Sequence, residues 1–210
     1  MREDLDLLVA WRGGDELAGN ELVGRYFTQI YGFFRNKVDA ADVDDLTQRT
    51  FLKCTESVEA FRGEASFRTY LFVIARNELL QLFRRRSPTR EAIDFSAISV
   101  AALGTTPSQF AVRRREHQLL LEALRQLPLN HQIALELYFW EDLSGPELAR
   151  VLGVPEGTAR TWLRRARLAL ADRIEALRGQ AVEGLEPTGE GPREPDTIAA
   201  WAAELRELNR

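Results

Sequence analysis

The chain of 210 residues has one cysteine, Cys54, and two histidines, His117 and His131. A single thiol excludes an internal disulfide, and so few soft ligands leave no zinc cluster to assemble. Cys54 reads as a small buried apolar residue. No apolar run approaches the roughly 20 residues that a membrane-spanning helix needs, and the opening MREDLD is acidic where a signal peptide is basic. The expectation is a soluble, cytoplasmic chain with no membrane insertion. A Gly-rich phosphate loop is missing, and neither histidine sits in a catalytic pattern. No catalytic residue, metal or cofactor is therefore expected, and the chain does not read as an enzyme. Alternating strand segments with hairpin turns are also missing, and helical periodicity takes their place.

Nor is there an excess of positive charge. Lys and Arg number 28 against 32 Asp and Glu, a net charge of −4. That is the wrong sign for a nucleic-acid binder until the charges are placed along the chain. Residues 179–210 hold seven acidic and three basic residues, which accounts for all of it. The remaining 178 residues carry 25 charges of each sign. Any basic surface must be local.

What is present is a succession of helices. A first one is predicted at about Asp4 to Arg12, stopped by Gly13-Gly14. Asp15 caps a second that runs to about Val38, with Tyr26, Phe27, Tyr31, Phe33 and Phe34 at three- and four-residue spacings that place most of them in a core. After the acidic break DAADVDD, a third helix spans about Val43 to Ala60, with Leu46, Phe51, Cys54 and Val58 in one stripe. Phe61 to Glu64 reads as a loop, and a fourth helix runs from about Ser66 to Arg85. Residues 87–108, with two prolines and scattered Ser and Thr, read as a flexible linker. Helical periodicity resumes near Gln109, breaks at Pro128 and continues to about Arg178. The last segment, 179–210, is acidic and rich in Gly and Pro, a disordered composition. Within it Asp196 is placed to cap a short helix with Ile198, Trp201, Ala202, Leu205 and Leu208 on one face. The predicted architecture is all-α: two small helical domains, 1–86 and 109–178, joined by the linker and followed by the tail.

Two stretches carry chemistry. In LSGPELARVLGVPEGTARTWLRRAR, from Leu143, Ser144 and Glu147 form a capping-box pattern and Pro146 falls in a first turn. Gly153 suits a left-handed C-cap, and Pro155 starts a second helix. Two short helices joined by such a turn make a helix-turn-helix. The second helix carries Thr158, Arg160, Thr161, Arg164, Arg165 and Arg167, where a recognition helix holds its base-reading and phosphate-holding groups. A plain helical hairpin with a solvated Arg face would show the same charges. In the other stretch, Phe61 to Arg86, Phe61, Phe67, Tyr70, Phe72 and Phe83 are interleaved with Arg62, Arg68, Arg76 and Arg84 to Arg86. Aromatic faces stack on unpaired bases while arginines hold the backbone, which suits single-stranded nucleic acid. Phe67, Leu71, Ile74 and Leu82 read as core instead, and Arg84 to Arg86 also fit a helix end that complements its dipole.

Taken together, the two stretches resemble a known family. DVDDLTQRTFLKC…FRGEASFRTYLFVIARNELLQLFRRR is similar to the second conserved region of bacterial sigma factors. LRQLP…LELYFWEDLSGPELARVLGVPEGTARTWLRRAR is similar to their fourth. Two such regions with only a short linker between them is the layout of the extracytoplasmic function (ECF) subfamily. The resemblance implies a region 2 domain over 1–86, for core polymerase binding and −10 recognition and melting, and a region 4 domain over 109–178 that reads the −35 element.

By the same resemblance, Asp44, Asp45, Leu46, Gln48 and Phe51 lie near the contact with the β′ clamp helices of core RNA polymerase, and the β flap is a further partner. Phe61, Arg62, Gly63 and Glu64 correspond to the loop that captures a flipped −10 base, with Arg76 and Asn77 beside it. Thr158, Arg160, Thr161, Arg164 and Arg165 are the implied −35 contacts. Promoter DNA and an anti-sigma factor complete the implied partners. At Trp162 the family more often has Arg, so this position either loses a phosphate contact or adds packing. The acidic tail is a second departure from the minimal layout. A simple helix-turn-helix regulator would leave the Asp-Asp-Leu-Thr-Gln helix and the Phe-Arg-Gly loop unexplained. A protein that only sequesters polymerase would have no use for the Arg face.

Overall fold

Four of the helix starts can be traced to a capping residue. The computed structural model describes residues 2–87, 93–103 and 115–182. Helix α1 spans Asp4–Arg12, with Asp4 and Asp6 in its first turn and Arg12 in its last, both matched to the helix dipole. Helix α2, Glu16–Arg35, is capped by the Asp15 carboxylate, which accepts from the Leu17 and Ala18 amides at 3.0 and 3.1 Å. Gly19 sits against the Trp11 indole, where a Cβ would fall 2.6 Å from the ring nitrogen, so only glycine lets α1 and α2 close.

Helix α3, Ala40–Ser57, starts three residues earlier than expected because Asp39 caps it, accepting from the Asp42 amide at 3.0 Å. A 3-10 turn over Val58–Ala60 follows. Helix α4, Phe67–Arg86, is capped by Ser66. Then come α5, Arg115–Arg125; α6, Leu129–Phe139; α7, Gly145–Leu152; and α8, Glu156–Val182. Helix α8 runs four residues past Arg178, so the segment expected as tail begins inside it. The resumption near Gln109 and the helix capped by Asp196 lie outside the described residues.

The packing joins what the sequence divides. One apolar core draws on Leu22, Phe34, Leu46, Leu71, Phe72 and Leu79 from α2 to α4. The same core takes in Leu129, Ile133 and Leu137 of α6, Leu148, Val151 and Leu152 of α7, and Ala159 of α8. At about 1.5–3 kcal/mol for each large apolar side chain buried, the residues of α6, α7 and α8 in this core tie the second half to the first. A smaller core of Leu120, Leu124, Leu127, Leu135, Ala166, Leu170 and Ile174 locks α5, α6 and α8. Cys54 lies in the larger core, where burial pushes its thiol up to about 12 and leaves it unreactive.

The connecting segment is tied down where it is described, at 93–103. Phe95 and Val100 are buried, and the Leu129 and Asn130 amides donate to the Ile98 and Phe95 carbonyls at 2.9 and 3.0 Å. The Ala101 amide donates to the Arg125 carbonyl at 3.0 Å. These bonds fix the end of α5 and the start of α6 against this segment.

Candidate nucleic-acid interface

The recognition element is built as its sequence dictates. Ser144 and Glu147 form a reciprocal capping box, with the Glu147 carboxylate accepting from the Ser144 amide at 3.0 Å and its hydroxyl at 2.6 Å. Gly153 adopts φ 67°, the left-handed conformation that ends α7. Helix α8 then presents Arg160, Arg164 and Arg165 on its exposed side. Arg160 pairs one turn back with Glu156 at 2.6 Å, which orients it over the N-terminal turns. Arg164 and Arg165 have no hydrogen-bond or ion-pair partner among the described residues. The Thr161 hydroxyl donates to the Gly157 carbonyl at 2.8 Å, leaving its oxygen to accept from a ligand. Thr158 is half-buried beside it. Arg167 points elsewhere, its guanidinium 5.8 Å from the Phe139 ring centroid.

Trp162 adds packing. It is half-buried against the main core and edge-on to His131 at 6.3 Å between centroids. Burial and the nearby Arg165 both lower the His131 pKa, so the ring is neutral at pH 7 and packs as an aromatic. The arginines on either side of Trp162, Arg160 and Arg164, are exposed.

The loop after α3 is held by a residue that the sequence reading did not single out. Arg12, at the end of α1, donates from Nε and Nη2 to the Val58 carbonyl at 3.0 and 2.6 Å and also to the Phe61 carbonyl. Nothing in the local sequence marks a bond across 46 positions. Gly63 turns the loop at φ 73°. Arg62, Gly63 and Glu64 are exposed.

Phe61 is set in the base of the loop rather than splayed into solvent. It is 8% exposed and packs on Tyr70 at 4.7 Å and Phe67 at 6.2 Å between centroids. The loop needs its aromatic for the core beneath it. A groove of about 420 Å³ nevertheless opens here, lined by Phe61, Arg62, Glu64, Tyr70 and Val73, with Arg150 of α7 on its far wall. Asn77 is exposed on α4. Arg76 is partly buried and donates to the Asn130 side chain of α6 at 3.1 Å.

On α3, Asp44, Asp45 and Gln48 are exposed. At 100° per residue they share one side of the helix with Phe51 and Leu52. Leu46 falls on the opposite side and is fully buried, in keeping with the apolar stripe it forms with Phe51, Cys54 and Val58, so it lies behind this surface. Phe51 is itself mostly buried and stacks at 6.0 Å on Phe27 of α2. Phe27 and Leu52, 48% and 57% exposed, complete an apolar patch beside the acidic groups. Phe27 was hidden in an aromatic run that otherwise reads as core. Arg49 and Lys53, on the flank of the helix, pair instead with buried Glu78 of α4.

Among the described residues no group of three or more His, Cys, Asp or Glu could hold a metal ion, and no helix is long and apolar enough to cross a membrane. The site is a set of surfaces: an Arg-bearing helix, a grooved loop and an acidic helix edged with aromatics.

Comparison with known proteins identifies the two halves of the chain. Residues 22–89 match Sigma-70 region 2, and residues 117–170 match Sigma-70 region 4. The fold and these two matches thus define a sigma-70 type protein built from those two regions. The chain is 31% identical over 183 residues to the ECF RNA polymerase sigma-E factor of Haemophilus influenzae, an alignment covering 83% of this chain and 96% of that protein. It is 29% identical over 172 residues to the protein of the same name from Escherichia coli K12, covering 78% and 90%. The chain belongs to the ECF RNA polymerase sigma factors.

Two solved structures share the fold. One is CnrH in complex with the cytosolic domain of CnrY, with a TM-score of 0.62 and 24% identity over 82% of this chain and 97% of that one. The other is the sigma factor RpoE in complex with the anti-sigma factor NepR from Bartonella quintana, with a TM-score of 0.58 and 22% identity over 74% and 96%. Membership makes the chain a DNA-binding transcription initiation factor rather than a catalyst.

Proposed function

We propose that this chain binds core RNA polymerase, brings it to promoters and promotes strand separation at the −10 element. Asp44, Asp45 and Gln48, with the apolar patch of Phe27, Phe51 and Leu52, form the surface for the β′ clamp helices. Carboxylates and an amide around exposed apolar groups combine charged recognition with area to bury. Helix α8 reads the −35 element as duplex through Arg160, Arg164 and Arg165, with Thr158 and Thr161 at its entry. The groove beside Arg62 and Glu64 takes an unstacked −10 base, with Arg76 and Asn77 adjoining. Unstacking a base costs a few kcal/mol, and a pocket that holds the base returns that energy and keeps the duplex open. Phe61 acts from beneath, as the floor of the groove. The observation that carries this reading is the presence on one chain of an unpaired Arg pair on a recognition helix and a grooved, arginine-edged loop.

The chain works where polymerase and chromosome are, in the cytoplasm. An anti-sigma factor is part of the same proposal, because a solved structure of this fold, the sigma factor RpoE from Bartonella quintana, is a complex with the anti-sigma factor NepR. The test is run-off transcription with purified chain and core polymerase on genomic fragments. Promoter-dependent transcripts support the reading. Their absence from every fragment, with and without residues 183–210, overturns it.

A further inference from the structure

Helix α8 has a rim as well as an outer face. At 100° per residue, Arg160, Thr161 and Arg164 share the outer face, while Thr158, Trp162 and Arg165 fall within about 60° of one another along its edge. His131, the third residue of α6, meets that edge. Its ring lies 6.3 Å from the Trp162 ring between centroids, at an interplanar angle of 67°. The indole sits where the family more often has Arg, so this part of the rim carries no fixed charge at position 162.

The imidazole is uncommitted. It is half-buried and has no hydrogen-bond partner among the described residues, and neither ring nitrogen is buried without a partner, so the ring opens to water beside the rim. Arg165 of α8, exposed and equally without a partner, is the charged group that faces it. Among the described residues no carboxylate of α5, α6 or α7 shifts its titration. The nearby guanidinium and burial together keep the free ring neutral at pH 7. That balance reverses when a phosphate oxygen approaches Arg165. The phosphate cancels the field of the guanidinium and adds one that favours imidazolium. A proton drawn from solvent then makes both ring nitrogens N–H donors, one of them available to the backbone.

We propose that His131 is a further duplex-contacting residue, a conditional cation that takes up one proton when Arg165 meets a phosphate and then grips the same stretch of backbone from α6. That α8 lies against duplex DNA rests on the function proposed above. The consequence is proton-linked affinity. A histidine whose bound pKa lies above its free one adds affinity that is complete below the free value and is lost as pH rises through the bound value. One proton changes affinity by no more than about tenfold per pH unit. A phosphate contact carries no base identity, so any duplex shows the effect.

The test uses the full chain and a random-sequence DNA duplex. His117→Gln leaves His131 as the only histidine, so proton NMR follows its titration directly, free and bound. The free ring should titrate below the ordinary 6.5 and shift upward with duplex. Arg165→Ala should raise the free value and shrink the shift. From pH 8 to pH 5, wild-type duplex affinity should rise about tenfold more than that of His131→Gln if the bound value lies about one unit above the free one. The wild-type log–log salt slope should steepen by up to about 0.9 over the same range, which a loss of packing would not produce. Should His131→Gln unfold, the single-histidine titration decides alone. A titration that duplex leaves in place, or a pH dependence that His131→Gln keeps in full, overturns the role of His131 while the reading of α8 stands. A chain that binds no duplex at either pH overturns both.

Discussion

Among single residues, the arginines of α8 illustrate how little composition says about role. Arg160, Arg164, Arg165 and Arg167 look alike in sequence. The structure separates them into one paired with Glu156, two left exposed and one laid on Phe139. An exposed Arg with no internal partner is the one whose loss is felt only by a ligand. Arg164→Ala should therefore weaken −35 duplex binding with unchanged thermal stability, and reduce the log–log salt slope by about 0.9 if its contact is to phosphate. Titrations at three or more salt concentrations measure both. Trp162 is the opposite case. Its ring packs on His131 and the core, so Trp162→Ala should cost about 2 kcal/mol in urea unfolding, roughly half the loss for a fully buried aromatic. Salt dependence of duplex binding should stay as it is.

For whole helices, legibility followed locality. Asp15, Asp39, Ser66 and Ser144 each accept from an amide two or three residues away, and such caps can be read from the chain because both partners lie in one short window. The helix-turn-helix was legible for the same reason, down to the box glutamate and the glycine. Leu46 and Phe51 were legible as part of one apolar stripe, and the turn of the helix sends Leu46 to the core while Asp44, Asp45 and Gln48 stay outside. The burial of Phe61 was not legible, because the Tyr70 and Phe67 rings that cover it are contributed by the next helix. Gly153 carries the prediction at this scale. Its φ of 67° costs any residue with a Cβ about 1–2 kcal/mol, so Gly153→Ala should lower stability by that amount. The angle between α7 and α8 depends on this turn, and −35 affinity should fall with it. The joint loss distinguishes this variant from Arg164→Ala, where stability stays constant.

Across the molecule as a whole, none of the packing between the two halves was legible, because its polar ties pair residues about 80 to 100 positions apart. Asn36, Lys37 and Glu136 have nothing in their local sequence to mark them as buried, and Glu147 looks fully used by its own helix. That carboxylate ties both scales together and gives the arrangement a pH signature. Burial raises its pKa, but hydrogen bonds from the Ser144 side chain and amide, Thr69 and Ser66 outweigh this and hold it down from 4.5 to about 2. A folded-state pKa below the unfolded one means that the contribution is complete above about pH 4.5 and is lost as pH falls toward 2. The wild type should therefore lose urea stability through that window. Glu147→Gln is less stable at pH 7, and its curve should approach the wild-type curve as pH drops from 5 to 2.5. Other carboxylates titrate in both proteins and cancel in the difference. Parallel curves would show that the Glu147 carboxylate is not held by the four groups around it, and would remove the α4–α7 tie between the halves.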